Sequence, residues 1–283
     1  PSREATVGHF TVRRALPRRA RRTVGAWCFV DHMGPAGVTA ERGLDVGPHP
    51  HIGLQTATWL LEGEALHRDS LGTEQLLRPG QLNLMTAGNG VSHSEEATGS
   101  YAGPLHGVQL WIAQPDASRH GEPDFEHHAD LPAVELDSSI CTLLVGELAG
   151  QCSPARRDTD HVGADLRLRA GTTTLPLVPD HEYAVVVFEG AVDVDGEPVI
   201  PGHLAYLGQG RDECALRSGA EARALLIGGV PFAEELLMWW NYVARTKDEI
   251  TAAHDDWTSR VARFGTVASP LAPIDTGPPP WAR

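Results

Sequence analysis

The chain has 283 residues, 41% of them apolar and 21% charged, a globular composition that excludes a disordered or coiled-coil protein and allows two ordinary domains or one large one. Its net charge of −14, with histidines neutral, repels phosphate backbones, so nucleic acid is not an expected partner. No apolar run approaches the ~20 residues that cross a bilayer, so no membrane is expected either.

The first 30 residues begin polar and become strand-like at Thr23–Val30. Their one dense basic run (Arg13-Arg14, Arg18-Arg19, Arg21-Arg22) reads as a solvated face or flexible arm. Asp31 and His32 follow, and the reading is that these polar side chains tie a loop in place. Cys28, Cys141, Cys152 and Cys214 are widely spaced and form no CxxC, so neither a disulfide framework nor a zinc ribbon is expected. With no charged-then-apolar leader at the start, a reduced, cytoplasmic protein is the expectation.

The stretch from Gly47 to Glu95 carries the chemistry. GPHPHIGLQT stands at one end and TAGNGVSHSEE at the other, so that His49/His51 and His93/Glu95 each form a pair at spacing two. On a strand, residues i and i+2 share a face. Two such strands brought together in a small barrel converge three imidazoles and one carboxylate, a metal site with nitrogen and oxygen donors and no sulfur. Between them, Ala57–Glu62 is strand-like, Glu62-Gly63 reads as a turn, and a second turn falls at Pro79-Gly80. Strands joined by short Gly/Pro turns predict an antiparallel barrel or jelly roll.

The HPH…G, EG…PG and TAGxGxxHSE elements resemble the cupin pattern and, more closely, the pirin family. Asp31-His32-Met33-Gly34-Pro35 and Met238-Trp239-Trp240-Asn241 resemble pirin too, so the likeness runs from about Val7 to Trp257. It implies a mainly β fold of two tandem cupin barrels (a bicupin) with a short C-terminal helical segment, and metal ligands carried over to His49, His51, His93 and Glu95. The domains expected are residues 1–130, a metal-binding barrel, and 131–283, a barrel without metal ligands plus helix and tail. Pirin-like proteins include quercetin 2,3-dioxygenases. The resemblance therefore implies Fe(II) first, with Mn, Ni, Cu, Co or Zn compatible, a flavonol-like aromatic substrate with O2, and Glu95 as the base. The competing implication is a non-enzymatic regulator whose metal-dependent surface binds a metabolic enzyme or transcription factor. The family commonly has arginine where this chain has Ile52 and Asn89, which removes positive charge beside the site.

Leu105–Ile112 resumes the alternation of the first barrel. His106 and Gln109 share a face there only if a bulge intervenes. Leu54, Leu84, Leu110 and Trp111 are the apolar walls suggested by strand parity. Gln114–Pro132 reads as a linker whose His120, His127 and His128 are surface residues. The second half then repeats the first without the chemistry: Val186–Gly190 mirrors Leu60–Gly63, and Pro201-Gly202 mirrors Pro79-Gly80. Equal offsets carry the ligand positions to Pro176, Val178, Ala215 and Arg217, and His181 and His203 stand alone. Phe232–Val243 suits a helix, with Trp239 and Trp240 as packing groups. Thr246 and Glu249 form a capping-box signature before a second helix. From Ser269 the tail is Pro-rich and is expected extended, either loose or docked on the first barrel.

Overall fold

The structure, a computed structural model, describes residues 1–282. Strand accounts for 52% of it and helix for 5%. The first half supplies β1 (Arg3–Val7), β2 (Phe10–Leu16), β3 (Trp27–Val38), β4 (Val46–His51), β5 (Leu54–Glu62) and β6 (Ala65–Asp69). It continues with β7 (Glu74–Leu77), β8 (Leu82–Thr86), β9 (Val91–Glu96), β10 (Gly103–Ala113) and β11 (Asp124–His128). One sheet runs in the order β1-β2-β3-β10-β5-β8-β11 and a second in the order β4-β9-β6-β7.

The second half supplies β12 (Ala133–Leu136), β13 (Ser139–Val145), β14 (Glu147–Leu148), β15 (Gln151–Cys152), β16 (His161–Leu168) and β17 (Gly171–Pro176). After these come β18 (Glu182–Glu189), β19 (Val192–Val194), β20 (Glu197–Val199), β21 (Leu204–Gly208), β22 (Glu213–Ser218) and β23 (Ala222–Gly229). Their sheets run β12-β13-β16-β23-β18-β21 and β17-β22-β19-β20. The internal repeat is thus a repeat of topology, with β4-β9-β6-β7 answered by β17-β22-β19-β20. This is the two-barrel cupin architecture.

The two compact units are not consecutive in the chain. One comprises Pro1–Ala5, Arg13–His32 and His128–Phe232; the other comprises Thr6–Val12, Met33–His127 and Ala233 onward. The C-terminal segment therefore clusters with the first barrel, where the sequence reading grouped it with the second.

In the unit of the second barrel, β18 (EYAVVVFE) is buried on both faces between β21 and β23, as a β-branched run predicts. Val162, Leu166, Val185, Val187, Leu216 and Leu226 belong to its core. Asp31 and His32 lie within β3 rather than in a loop. Asp31 is held by both guanidinium nitrogens of Arg14, at 2.7 and 2.6 Å. Arg21 stacks on Tyr206 at 3.6 Å and pairs with Glu182, so part of the basic run is tied down.

In the unit of the first barrel, Phe232–Val243 is not helical. It forms the hairpin β24 (Leu237–Trp239) and β25 (Tyr242–Ala244), with Trp240 at φ 51° in the turn. Tyr242 instead bridges Ile52 in parallel, and the Val243 N–H donates to the Ile52 carbonyl. Tertiary pairing overrides the local helical signal.

The expected capped helix is present as α1 (Lys247–Thr258), with the Thr246 hydroxyl accepting from the Glu249 N–H at 3.2 Å. Ile250, Ala253, His254 and Trp257 make its buried stripe. Trp239 and Trp240 pack against the cluster of Ile52, Tyr242, Ile250, Trp257 and Phe264, as packing groups. The tail docks on the first barrel: the Ile274 N–H donates to the Pro48 carbonyl at 2.8 Å, and the Trp257 indole donates to the Ile274 carbonyl at 3.0 Å. A side chain at Gly47 would collide with the Ala272 carbonyl, so glycine there permits the tail to pass directly behind the ligand strand.

Candidate metal centre

Strand register assembles the site. His49 on β4 sits opposite His93 on β9, and His51 opposite Val91. On the other side of β9, Glu95 faces His67 and His93 faces Asp69 of β6. Three neighbouring strands thus carry polar pairs at spacing two on one face: His49/His51, His93/Glu95 and His67/Asp69. All six residues are buried.

His49, His51 and His93 each offer a ring nitrogen within 4.8 Å of the others. Their second nitrogens explain why Nε2 is the one offered. His49 Nδ1 lies 2.9 Å from the Gly47 carbonyl, and His51 Nδ1 lies 2.9 Å from the Asn241 carbonyl. A carbonyl only accepts, so both imidazoles carry hydrogen on Nδ1 and leave Nε2 as a lone pair. The Asn241 partner also gives the MWWN motif its role: its backbone orients a ligand candidate. His51 Nε2 and His93 Nε2 are 3.1 Å apart. Donors ~2.0–2.1 Å from one ion stand about 2.9 Å apart in octahedral and 3.3–3.4 Å apart in tetrahedral geometry, so this spacing fits a shared cation.

Burial shapes the electrostatics. It lowers His49 to about 4, against the opposing effect of the Gly47 hydrogen bond, and also holds His51 and His93 well below the usual imidazole range. All three are neutral at pH 7, the form a metal needs. Burial pushes the Glu95 carboxyl up to about 7, with the Thr58 hydroxyl donating to it at 3.5 Å. Glu95 shares the face of His93 but lies outside the 4.8 Å set. The structure therefore brings together three of the four expected ligands, with the fourth on the same strand face.

His67 and Asp69 were not foreseen. His67 Nδ1 lies 3.4 Å from His93 Nδ1, its Nε2 lies 3.0 Å from Asp69 Oδ2, and its ring stacks on Phe125 at 4.5 Å. Burial raises the Asp69 carboxyl, but the His67 hydrogen bond and the Thr73 donors outweigh it, and the net shift is downward. The signal for this pair was present: HRD has the same spacing of two as HPH and HSE.

The walls are partly as expected. Gln109 bonds Thr58 at 2.9 Å, and Trp111 meets His51 edge-on with ring centroids 5.2 Å apart. That places Gln109 and Trp111 on the site face of β10 and turns Leu110 away. On β8, Asn83 and Met85 pair with Thr58 and Thr56, so Leu84 faces the other side. Phe125 comes from β11, inside the supposed linker, and His127 is half-buried there, bonded to Asn83 at 2.7 Å. Neither is a loose surface residue. A bulge does fall between His106 and Gly107. At Asn89 the Arg263 guanidinium donates to the backbone carbonyl at 2.7 Å while pairing with Asp256 at 3.0 Å, and Ile52 joins an apolar cluster.

In the second barrel, β17 pairs with β22 as β4 pairs with β9. Ala215 and Arg217 are not its inward residues; the buried positions are Cys214 and Leu216, one residue displaced from the count. Apolar groups occupy the places that His93 and Glu95 hold in the first barrel. His181 bonds Asp160 at 3.2 Å and has no second metal-type partner among the described residues. Replacing His181 or His203 with alanine is expected to leave metal content unchanged by mass spectrometry.

Two cupin barrels, of which one holds a buried three-histidine cluster, define a bicupin with one candidate metal centre among the described residues. The chain belongs to the pirin family: the Pirin profile matches residues 9–112, and the profile of the Pirin C-terminal cupin domain matches residues 163–265. A Pseudomonas aeruginosa protein provisionally named quercetin 2,3-dioxygenase is 49% identical over 276 residues, 97% of this chain and 87% of that protein. A pirin-like protein of Caulobacter vibrioides is 35% identical, over 90% of this chain and 91% of that one. The crystal structure of a quercetin 2,3-dioxygenase from Acinetobacter baumannii superposes with a TM-score of 0.95 at 44% identity, covering 99% of this chain and 94% of that one.

Proposed function

We propose that the protein is a metal-dependent dioxygenase that opens a flavonol-type aromatic ring with O2. The observation that carries this reading is the convergence of three buried imidazoles, His49, His51 and His93, with the buried Glu95 carboxyl on the same strand face. Two relatives whose names include quercetin 2,3-dioxygenase support the substrate class.

His49, His51 and His93 would hold the ion through Nε2, with Glu95 as the anionic donor. Three neutral donors and one carboxylate leave a divalent ion net positive, which suits a site that keeps positions open for substrate. Iron(II) is the first candidate. The ion supplies positive charge that acidifies the substrate's 3-hydroxyl, together with the redox chemistry that engages O2. Glu95, loosened from the ion, would take the proton from that hydroxyl on a carboxylate oxygen. The Thr58 hydroxyl donates to Gln109 Oε1 at 2.9 Å and sets its oxygen 3.5 Å from the Glu95 carboxyl, so the base is flanked from β5 and β10. Trp111 and Phe125 give the aromatic rings of the substrate flat apolar surfaces and keep water from the reacting carbons. Both oxygen atoms enter the product, and one ring carbon leaves as carbon monoxide.

No helix is long and apolar enough to cross a membrane. All four cysteines are free and three are buried, which supports a reduced, cytoplasmic setting.

Anaerobically purified, iron(II)-loaded protein is expected to consume O2 only when quercetin is added, with loss of the flavonol absorbance and release of carbon monoxide. Full metal occupancy without quercetin-dependent O2 uptake overturns the flavonol reading.

A further inference from the structure

The third polar pair on the ligand face has no place among the donors, yet it is built with as much order as they are. Asp69 Oδ1 accepts the N–H groups of Leu71 and Thr73 at 2.9 and 3.0 Å, which fixes the carboxylate plane. Its other oxygen faces His67 Nε2 at 3.0 Å. The His67 ring is clamped flat on Phe125, with an interplanar angle of 23°. Its remaining nitrogen faces His93 Nδ1.

We propose that His67 and Asp69 are positioning residues that fix the tautomer of His93, so that its Nε2 lone pair is the one presented to the metal. The inference rests on the reading of the histidine cluster as a metal site. Asp69 Oδ1 is filled by two backbone N–H groups and Oδ2 faces the ring, so His67 Nε2 is the donor and its remaining nitrogen, Nδ1, is the acceptor offered to His93. His93 Nδ1, 3.4 Å away, then donates to it. The other two ligands achieve the same state with backbone carbonyls, Gly47 for His49 and Asn241 for His51. Among the described residues no carbonyl bonds the His93 ring, whose nitrogens meet His51 and His67. A side-chain relay does for the third ligand what the backbone does for the first two.

The relay makes an unusual demand on Asp69. In Asp69→Asn, the amide oxygen stays on the Leu71 and Thr73 N–H groups, and the NH2 turns to His67 Nε2. His67 must then accept at Nε2 and carry its hydrogen on Nδ1. His93 is forced to accept at Nδ1, and its hydrogen moves to Nε2, where a metal cannot bind. A change that preserves shape therefore inverts two tautomers in sequence.

The test reads ring nitrogen-15 shifts of His93 in the metal-free protein, and zinc(II) affinity by chelator competition. Wild type is expected to show His93 protonated on Nδ1. Asp69→Asn is expected to show it on Nε2, with zinc affinity reduced about 10–100-fold, the usual cost of losing an outer-shell partner. His67→Phe keeps the stack on Phe125 but removes the acceptor, and is expected to show the same loss. His67→Asn puts an oxygen near the place of Nδ1 and is expected to recover most of the affinity. If Asp69→Asn proves unstable, the contrast between His67→Phe and His67→Asn carries the same decision. An unchanged His93 tautomer with unchanged zinc affinity in folded Asp69→Asn overturns the relay. Should wild type itself bind no zinc, the metal reading fails, and the tautomer spectra, which need no metal, still decide the relay.

Discussion

Replacing His51 with alanine is expected to reduce bound metal to background and to abolish quercetin-dependent O2 uptake. His51 is the pivot of the cluster: its Nε2 stands 3.1 Å from that of His93, and its ring lies against both His49 and Trp111. Removing it leaves two imidazoles and one carboxylate to hold the ion, so the fall in affinity should exceed the about 10–100-fold cost of losing a group that only orients a ligand. Stability should respond in two ways. The Asn241 carbonyl loses its partner, at a cost of about 1–3 kcal/mol if water cannot reach it. The gain on adding metal also disappears; for wild type that gain is about 2.7 kcal/mol at a metal concentration of 100 times Kd. Elemental analysis and thermal melts with and without metal check both effects. Wild-type metal content in a folded His51→Ala protein sinks the proposed ligand set.

The parts of this molecule that were legible in its sequence are those governed by the period of a strand. His49/His51 and His93/Glu95 announce themselves because spacing two puts each pair on one face, and the Gly/Pro turns fix the strand ends so that β4 meets β9 in register. The repeat was legible for the same reason, since its turns recur. What stayed hidden depended on contacts between segments far apart in the chain. His67 and Asp69 had the right spacing, but their importance comes from β6 lying beside β9, which spacing alone does not reveal. Leu84 and Leu110 were assigned to the wrong face because the parity of a strand needs one anchored residue, and here Thr58 and Gln109 are those anchors. Phe232–Val243 looked helical until its partner was known, because Ile52 supplies pairing that no local pattern encodes. The slip to Ala215 and Arg217 in the second barrel is the same lesson: a one-residue error reverses inside and outside.

Glu95→Gln is expected to stabilise the metal-free protein at high pH and to weaken the metal-bound one. Burial raises the Glu95 carboxyl from 4.5 to about 7 in the folded chain. Between those values the folded state holds a proton that the unfolded state has released, so stability falls as pH rises through the window. The loss is complete above about pH 7 and amounts to about 3 kcal/mol by pH 8. Glutamine keeps the shape and never ionises. The metal-free variant should therefore match wild type near pH 4.5 and exceed it by up to about 3 kcal/mol at pH 8. His49 works in the opposite direction: lowered to about 4, it adds stability as pH rises toward 6.5. Both proteins share that contribution, and it cancels in their difference. Saturating metal should reverse the order, because an ion draws the proton off Glu95 and uses the carboxylate that glutamine lacks. Urea titrations at pH 4.5, 6 and 8, with chelator and with metal, separate the two regimes. A variant that is less stable than wild type at every pH without metal would mean that Glu95 is already ionised and satisfied in the folded chain.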